Sequence, residues 1–210
     1  MSIEHEISEF LQKGRMPKVK ELVNQALEQG VSAKSILENG LIHGMGIIGE
    51  KFKNGDVFVP EVMVAARAMN AGVEILKPAL IEAGVKPIGR AIIGTVEGDL
   101  HDIGKNLVKL MMEGKGIEVI DLGVNVAPAK FVSAVREYMP SVVCCSALLT
   151  TTMGKMREVV ELLAAEGLRG SVKVMVGGAP ITQEFCESIG ADYYTPDAGS
   201  AADRAVQCIQ

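Results

Sequence analysis

Residues 97–104, Glu97-Gly98-Asp99-Leu100-His101-Asp102-Ile103-Gly104, gather one imidazole and three carboxylates within eight positions. A His set between two Asp residues can ligate a metal through one ring nitrogen while a carboxylate accepts the proton on the other. Further groups able to serve a ligand stand far along the chain. They are Ser146-Ala147-Leu148-Leu149-Thr150-Thr151-Thr152, then Gly177-Gly178, then Thr195-Pro196-Asp197-Ala198-Gly199. The other two histidines, His5 and His43, fall in the first quarter, so a metal at residues 97–104 finds no second imidazole nearby in the sequence.

Hydrophobic patterning places these groups at strand ends. Ala91-Ile92-Ile93-Gly94-Thr95-Val96 reads as a buried strand, and the apolar residues of Asn106–Met112 return at helical spacing. The carboxylate-rich stretch is therefore a strand-to-helix loop, and such loops lie at the carboxyl edge of a parallel sheet, where ligands bind. Alternation continues as strand 90–96, helix 104–114, strand 117–122, helix 128–138, strand 141–147, helix 153–166, strand 172–176, helix 181–189, a short strand near Tyr193 and helix 199–208. Right-handed crossovers favour a flavodoxin-like, doubly wound five-stranded parallel sheet of order 2-1-3-4-5, with its switch point between strands one and three. Ser146 and the 97–104 loop then share one cleft.

The first third has a helical period throughout. Ile3, Ile7, Phe10 and Leu11 mark one helix; Val19, Leu22, Val23, Ala26 and Leu27 mark a second, opened by Pro17 and closed by Gly30. Ser32 can cap a third carrying Leu37, Leu41, Met45, Ile48 and Phe52, and Pro60 begins a fourth running to about Ala83. Four amphipathic helices suggest a bundle. Gly40, Gly44, Gly46 and Gly49 in the third each cost up to about 1 kcal/mol relative to Ala, so close approach of a helix or a ligand should offset them. Gly84-Val85-Lys86-Pro87-Ile88-Gly89 reads as a linker, giving a helical domain over 1–86 and an α/β domain over 87–210.

A net charge of −5 without any long basic run disfavours a nucleic-acid partner. No apolar run spans a membrane, and the amino terminus carries acids where a signal peptide carries bases, so a cytoplasmic location is expected. Cys144, Cys145, Cys186 and Cys208 lack metal-site spacing and read as reduced interior thiols. A dinucleotide site needs G-x-G-x-x-G in the first loop, where Gly98 and Gly104 are wrongly spaced around two acids; a phosphoacceptor domain needs an Asp where Ser146 stands. A two-metal phosphoesterase needs further His, Asp and Asn ligands, and the only other histidines, His5 and His43, fall in the helical half. The plainest alternative makes Asp99 or Asp102 a helix cap and His101 a surface residue.

Asp99-x-His101-x-x-Gly104, Ser146-x-Leu148 and Gly177-Gly178 together resemble the D-x-H-x-x-G, S-x-L, G-G signature of B12-binding domains that hold a corrinoid base-off and His-on. Gly44-Met45-Gly46-Ile47-Ile48-Gly49-Glu50-Lys51-Phe52 with Val57-Phe58-Val59-Pro60-Glu61 resembles the cap domain of cobalamin-dependent methionine synthase. The whole chain is most similar to the methyl-carrying corrinoid proteins of methanogens and acetogens. That resemblance implies a corrinoid cofactor, cobalamin or another cobamide, with His101 as lower axial ligand to cobalt. Asp99 then tunes His101, with Thr152 as a third relay member in place of Ser. Gly98, Leu100, Asp102 and Gly104 belong to the same binding loop, Asp102 with a capping role at most. It implies that Ser146 meets the nucleotide base, that Leu148, Thr150, Gly177 and Gly178 wall the tail pocket, and that Ala198 makes a later contact. In the cap, Phe52 and Val59 cover the upper face and Glu38 touches the cofactor.

The function implied is methyl carriage from a donor-specific methyltransferase to an acceptor methyltransferase using tetrahydrofolate or coenzyme M, with a reductive activase as a further partner. The carrier is then a subunit of a multi-component methyltransferase rather than a self-sufficient enzyme. Two competitors share parts of the pattern. A B12-dependent light-sensing regulator adds a DNA-binding domain for which 210 residues leave no room, and the small subunit of an adenosylcobalamin mutase lacks the helical cap.

Overall fold

The computed structural model describes residues 2–210, leaving Met1 outside. The chain divides into two units: one runs up to Pro87 and takes in Gly114–Gly116, and the other comprises Ile88–Glu113 and Ile117–Gln210.

The helical unit contains α1 (Ile3–Gln12), α2 (Met16–Glu28), α3 (Ala33–Ser35), a π-helical stretch (Ile36–Ile42), α4 (His43–Lys53) and α5 (Val59–Glu82). Ser2 and Ser32 accept the Ser-x-x N–H bonds that open α1 and α3, and Pro17 stands in the first turn of α2. The core is built from the expected stripes, with Ile7, Leu11, Val19, Val23, Ala26, Leu41, Met45 and Ile48 buried against Val62, Ala65, Met69 and Leu76 of α5. The third helix differs from the simple α-helix that its spacing predicts, because seven residues in its middle are wound as π-helix. Packing accounts for two of its glycines: a Cβ on Gly40 would lie 3.1 Å from Ile7 Cγ2, and one on Gly44 would lie 3.1 Å from the Ser8 backbone. Close approach of α1 thus offsets their propensity loss, whereas a Cβ on Gly46 would meet nothing within 4 Å.

The α/β unit carries β1 (Gly89–Thr95), α6 (Ile103–Glu113), β2 (Ile117–Asp121), α7 (Pro128–Tyr138), β3 (Val142–Ser146), a 3₁₀ turn (Thr150–Thr152), α8 (Gly154–Ala165), β4 (Lys173–Gly177), α9 (Gln183–Ser188), β5 (Tyr193–Tyr194) and α10 (Ala198–Ile209). The sheet is parallel throughout in the order β2-β1-β3-β4-β5, the order the crossover rule predicts. Ile92, Val143, Val174 and Val176 are buried in one core with Phe131 of α7 and Met156, Val159 and Leu163 of α8. Gly94 makes room for that aromatic ring, since a Cβ there would come within 2.8 Å of Phe131 Cζ. Cys144, Cys145 and Cys186 are buried free thiols and Cys208 is half-buried. Burial pushes the Cys145 thiol up to about 12 and raises that of Cys144 further still, so both stay protonated and unreactive.

Candidate functional site

The switch point is built from three strand ends in register. Thr95 of β1 pairs with Ser146 of β3, and Ser146 pairs with Gly177 of β4. Beyond them, Val96 N–H donates to Ser146 O at 3.0 Å and Ala147 N–H to Gly177 O at 3.2 Å, so the three loops leave the sheet side by side. Gly98 then reverses the first loop at φ 82°, with Thr152 Cγ2 3.3 Å from where its Cβ would be.

Asp99 is fully buried and is the hub of the loops. Its Oδ1 accepts from the His101 backbone N–H at 3.0 Å and faces His101 Nδ1 at 2.7 Å. Its Oδ2 accepts from the Leu148 N–H at 2.7 Å, the Leu149 N–H at 3.2 Å and the Thr152 hydroxyl at 3.2 Å. One oxygen therefore fixes His101 and the other fixes the loop after β3. Burial alone would raise the pKa of this carboxyl. The backbone N–H groups of His101 and Leu148, the His101 ring and the Leu149 N–H together outweigh burial and hold it well below the usual carboxylate range. The carboxylate stays ionised near neutrality.

An ionised Asp99 at Nδ1 also selects the tautomer of a neutral His101. The proton sits on Nδ1 and the lone pair on Nε2, which has no hydrogen-bond partner among the described residues. The side chain is 52% exposed. Its main chain is held too, because the buried Thr95 hydroxyl donates to His101 O at 2.8 Å. Thr152 keeps the hydroxyl required of a relay residue, but its single proton serves two acceptors, Leu149 O at 2.9 Å and Asp99 Oδ2 at 3.2 Å.

Neither carboxylate bonds an α6 N–H, although Asp102 stands directly before the helix and its backbone O accepts the Asn106 N–H at 2.7 Å. Asp99 spends its oxygens on His101 and the loop after β3, and Asp102 Oδ2 accepts from the Asn106 side chain at 3.0 Å rather than from a helix N–H. Leu100 is 71% exposed, and a Cβ on Gly104 would meet nothing within 4 Å. Gly98, Asp99, Leu100, His101, Asp102, Gly104, Ser146, Leu148 and Thr152 are thus brought to one edge, with Thr150 exposed at the start of the 3₁₀ turn.

The two glycines after β4 differ. Gly178, at φ 132°, passes so close to β3 that a Cβ would lie 1.8 Å from Ala147 O, so the fold alone demands glycine there. Gly177 has no such constraint, its nearest neighbour being Thr195 O at 3.7 Å. Ala198 is buried as the first residue of α10, behind the Asp197 cap that accepts the Ser200 N–H at 2.8 Å. Glu38, Phe52 and Val59 belong to the helical unit, where Glu38 is exposed opposite Lys34 at 3.8 Å and Phe52 and Val59 are half-buried.

Sequence reasoning missed three supports. Thr95 reads as an ordinary strand residue, and Asn125 as a loop residue. Lys105 looks like a solvent-facing position at the start of an amphipathic helix, yet it is buried, with Nζ 2.6 Å from both Asp121 oxygens and 2.8 Å from Asn106 Oδ1. The signal available for it was an acid at the end of the adjacent strand, Asp121. Exposed apolar side chains accompany the dyad: Leu100, Ile103, Val124, Leu148 and Leu149. A lone-pair nitrogen among them suits a metal held in a large apolar ring. Among the described residues no group of three or more His, Cys, Asp or Glu is arranged to hold an ion unaided.

Residues 89–206 match the family described as B12 binding domain, and residues 3–77 match a second family of that description. The chain is 43% identical to trimethylamine corrinoid protein 2 of Methanosarcina acetivorans over 91% of this chain and 89% of that one. It is 42% identical to dimethylamine corrinoid protein 2 of Methanosarcina mazei over the full length of both. The methanol:cobalamin methyltransferase complex MtaBC from Methanosarcina barkeri contains a similar chain, with a TM-score of 0.90 and 30% identity over 99% of this chain and 79% of that one.

Proposed function

We propose, from the premise that the chain belongs to the methyltransferase cognate corrinoid proteins with their B12 binding domains, that it carries a methyl group between two partner methyltransferases. The observation that carries this reading is the Asp99–His101 dyad, a half-exposed imidazole whose Nδ1 is held by an ionised, fully buried carboxylate while Nε2 is left to a ligand. A corrinoid supplies, when bound, a cobalt centre that accepts a methyl group and gives it up again. His101 is the residue that would ligate that cobalt, in the base-off, His-on mode, because a borderline metal suits an imidazole nitrogen.

Asp99 keeps the ring oriented by accepting a hydrogen bond from Nδ1–H. With or without a metal on Nε2, the ring stays paired with Asp99 through Nδ1. Thr152 completes the shell. Leu100, Ile103, Val124, Leu148 and Leu149 would shield a bound corrinoid from water, and the bare Gly177 would leave room for its nucleotide tail. The relatives are named for trimethylamine and dimethylamine and the similar complex for methanol, so donor choice is assigned to the partner methyltransferase. An acceptor methyltransferase and a reductive activase complete the partners.

The test is His101→Ala loaded with cobalamin. The variant is expected to bind the corrinoid but to lose the absorption spectrum of the imidazole-ligated form. An unchanged spectrum refutes His101 as ligand.

A further inference from the structure

Asn125 grips the His101 loop twice. It lies between β2 and α7 in the left-handed region, at φ 52°, a conformation that Asn tolerates better than most residues. Its backbone N–H donates to Asp99 O at 2.9 Å, and its side-chain Oδ1 accepts the Gly98 N–H at 2.7 Å. Asp99 N–H donates in turn to Val96 O at 3.1 Å, so the main chain at Asp99 is fixed before, at and after the residue. The neighbouring segment runs alongside β1: Thr95 N–H donates to Gly123 O at 3.0 Å, Val126 N–H donates to Thr95 O at 2.9 Å, and Val96 and Val126 form a parallel bridge.

We infer that Asn125 is a positioning residue for the reactive imidazole, setting the place of the Asp99–His101 dyad above the sheet edge. The inference rests on the reading of His101 as the corrinoid ligand. Asp99 holds His101 through both its N–H and its Nδ1, so a displacement of the Asp99 main chain moves Nε2 with it. Asn suits the place because it combines tolerance of the left-handed region with a short acceptor. The Gly98 N–H it serves is exposed, so water can replace the side chain and the fold survives its loss.

The experiment compares Asn125→Gly, which keeps the backbone conformation and deletes the acceptor, with Asn125→Asp, which keeps both. Each holo-protein is reduced to the cobalt(II) form, and the nitrogen splitting of its electron paramagnetic resonance lines gives the ratio of His-on to His-off. Asn125→Gly is expected to lower that ratio about tenfold, the smaller end of what supporting residues around a metal ligand contribute. Asn125→Asp is expected to restore it. Arg169→Met, which releases Gly190 O and Asp192 at the opposite end of the sheet, controls for general destabilisation and is expected to leave the ratio unchanged. A wild-type ratio in Asn125→Gly overturns the inference, as does an equal fall in Arg169→Met. Nitrogen splitting that persists in His101→Ala overturns the ligand reading instead. A readout without corrinoid gives an independent answer: the His101 Nδ1–H proton resonance of the apo-protein is expected to exchange with water at least fivefold faster in Asn125→Gly, and an unchanged rate also overturns the inference.

Discussion

Asp99→Asn tests the hub of the site at the cost of one atom. The carboxylate receives five donors, two from His101 on Oδ1 and three from Leu148, Leu149 and Thr152 on Oδ2. An amide has one acceptor oxygen and must abandon one of these sets. Retaining the three donors on the Oδ2 side turns its NH₂ toward His101, where it meets the backbone N–H and can be satisfied only if Nδ1 becomes an acceptor. The ring proton then moves to Nε2, the atom assigned to the metal. Hydrogen bonds to a charged group contribute about 1.5–3 kcal/mol each. Losing the backbone bond and weakening the rest to neutral strength gives about 2–4 kcal/mol. For a unit of this size that lowers Tm by about 10 °C. The assay is thermal unfolding of the corrinoid-free full chain, with ¹⁵N chemical shifts of His101 reporting the tautomer. A variant with wild-type Tm and the proton still on Nδ1 refutes the hub argument.

The remaining predictions address the frame. Lys105→Met leaves Asp121 without its buried cation and is expected to cost about 2–4 kcal/mol in urea unfolding, with more than half recovered in Lys105→Met/Asp121→Leu. Burial alone would raise the Asp121 pKa, but the bond and charge of Lys105 with the Gly123 N–H hold it below the ordinary value. A depressed carboxyl contributes stability above its unfolded pKa of about 3.9 and loses it as pH falls through the folded value, so the acid limb of the stability profile should flatten in Lys105→Met. Gly178→Ala would set a Cβ 1.8 Å from Ala147 O and is expected to cost at least about 3 kcal/mol. Gly177→Ala should stay within about 1 kcal/mol of wild type in the same unfolding assay. In the native protein a thiol reagent should label Cys208 first and reach Cys144 and Cys145 only on unfolding, as counted by mass spectrometry with and without urea.

The amino-acid sequence by itself determined the two-part organisation, the strand alternation, the sheet order and the place of the loop after the first strand at the carboxyl edge of the sheet. These follow from short-range periodicity, from turn residues and from the handedness of crossovers, all of which can be read along the chain. It also singled out Asp99 and His101, because an imidazole between carboxylates at a strand end is chemically unusual. Tertiary structure decided what sequence distance hides. Leu148 and Leu149 lie about fifty positions from Asp99, yet their N–H groups keep it ionised. Lys105 is indistinguishable in pattern from a solvated helix residue until Asp121 comes beside it. The equivalence of Gly177 and Gly178 as letters dissolves once Ala147 O is seen against only one of them. The π-helical turn in the third helix likewise lies beyond periodicity, which records an apolar face but not the number of residues wound into each turn. Periodicity and motif thus located the Asp99–His101 pair, and the packing of separate strand ends set its hydrogen bonds and its aim.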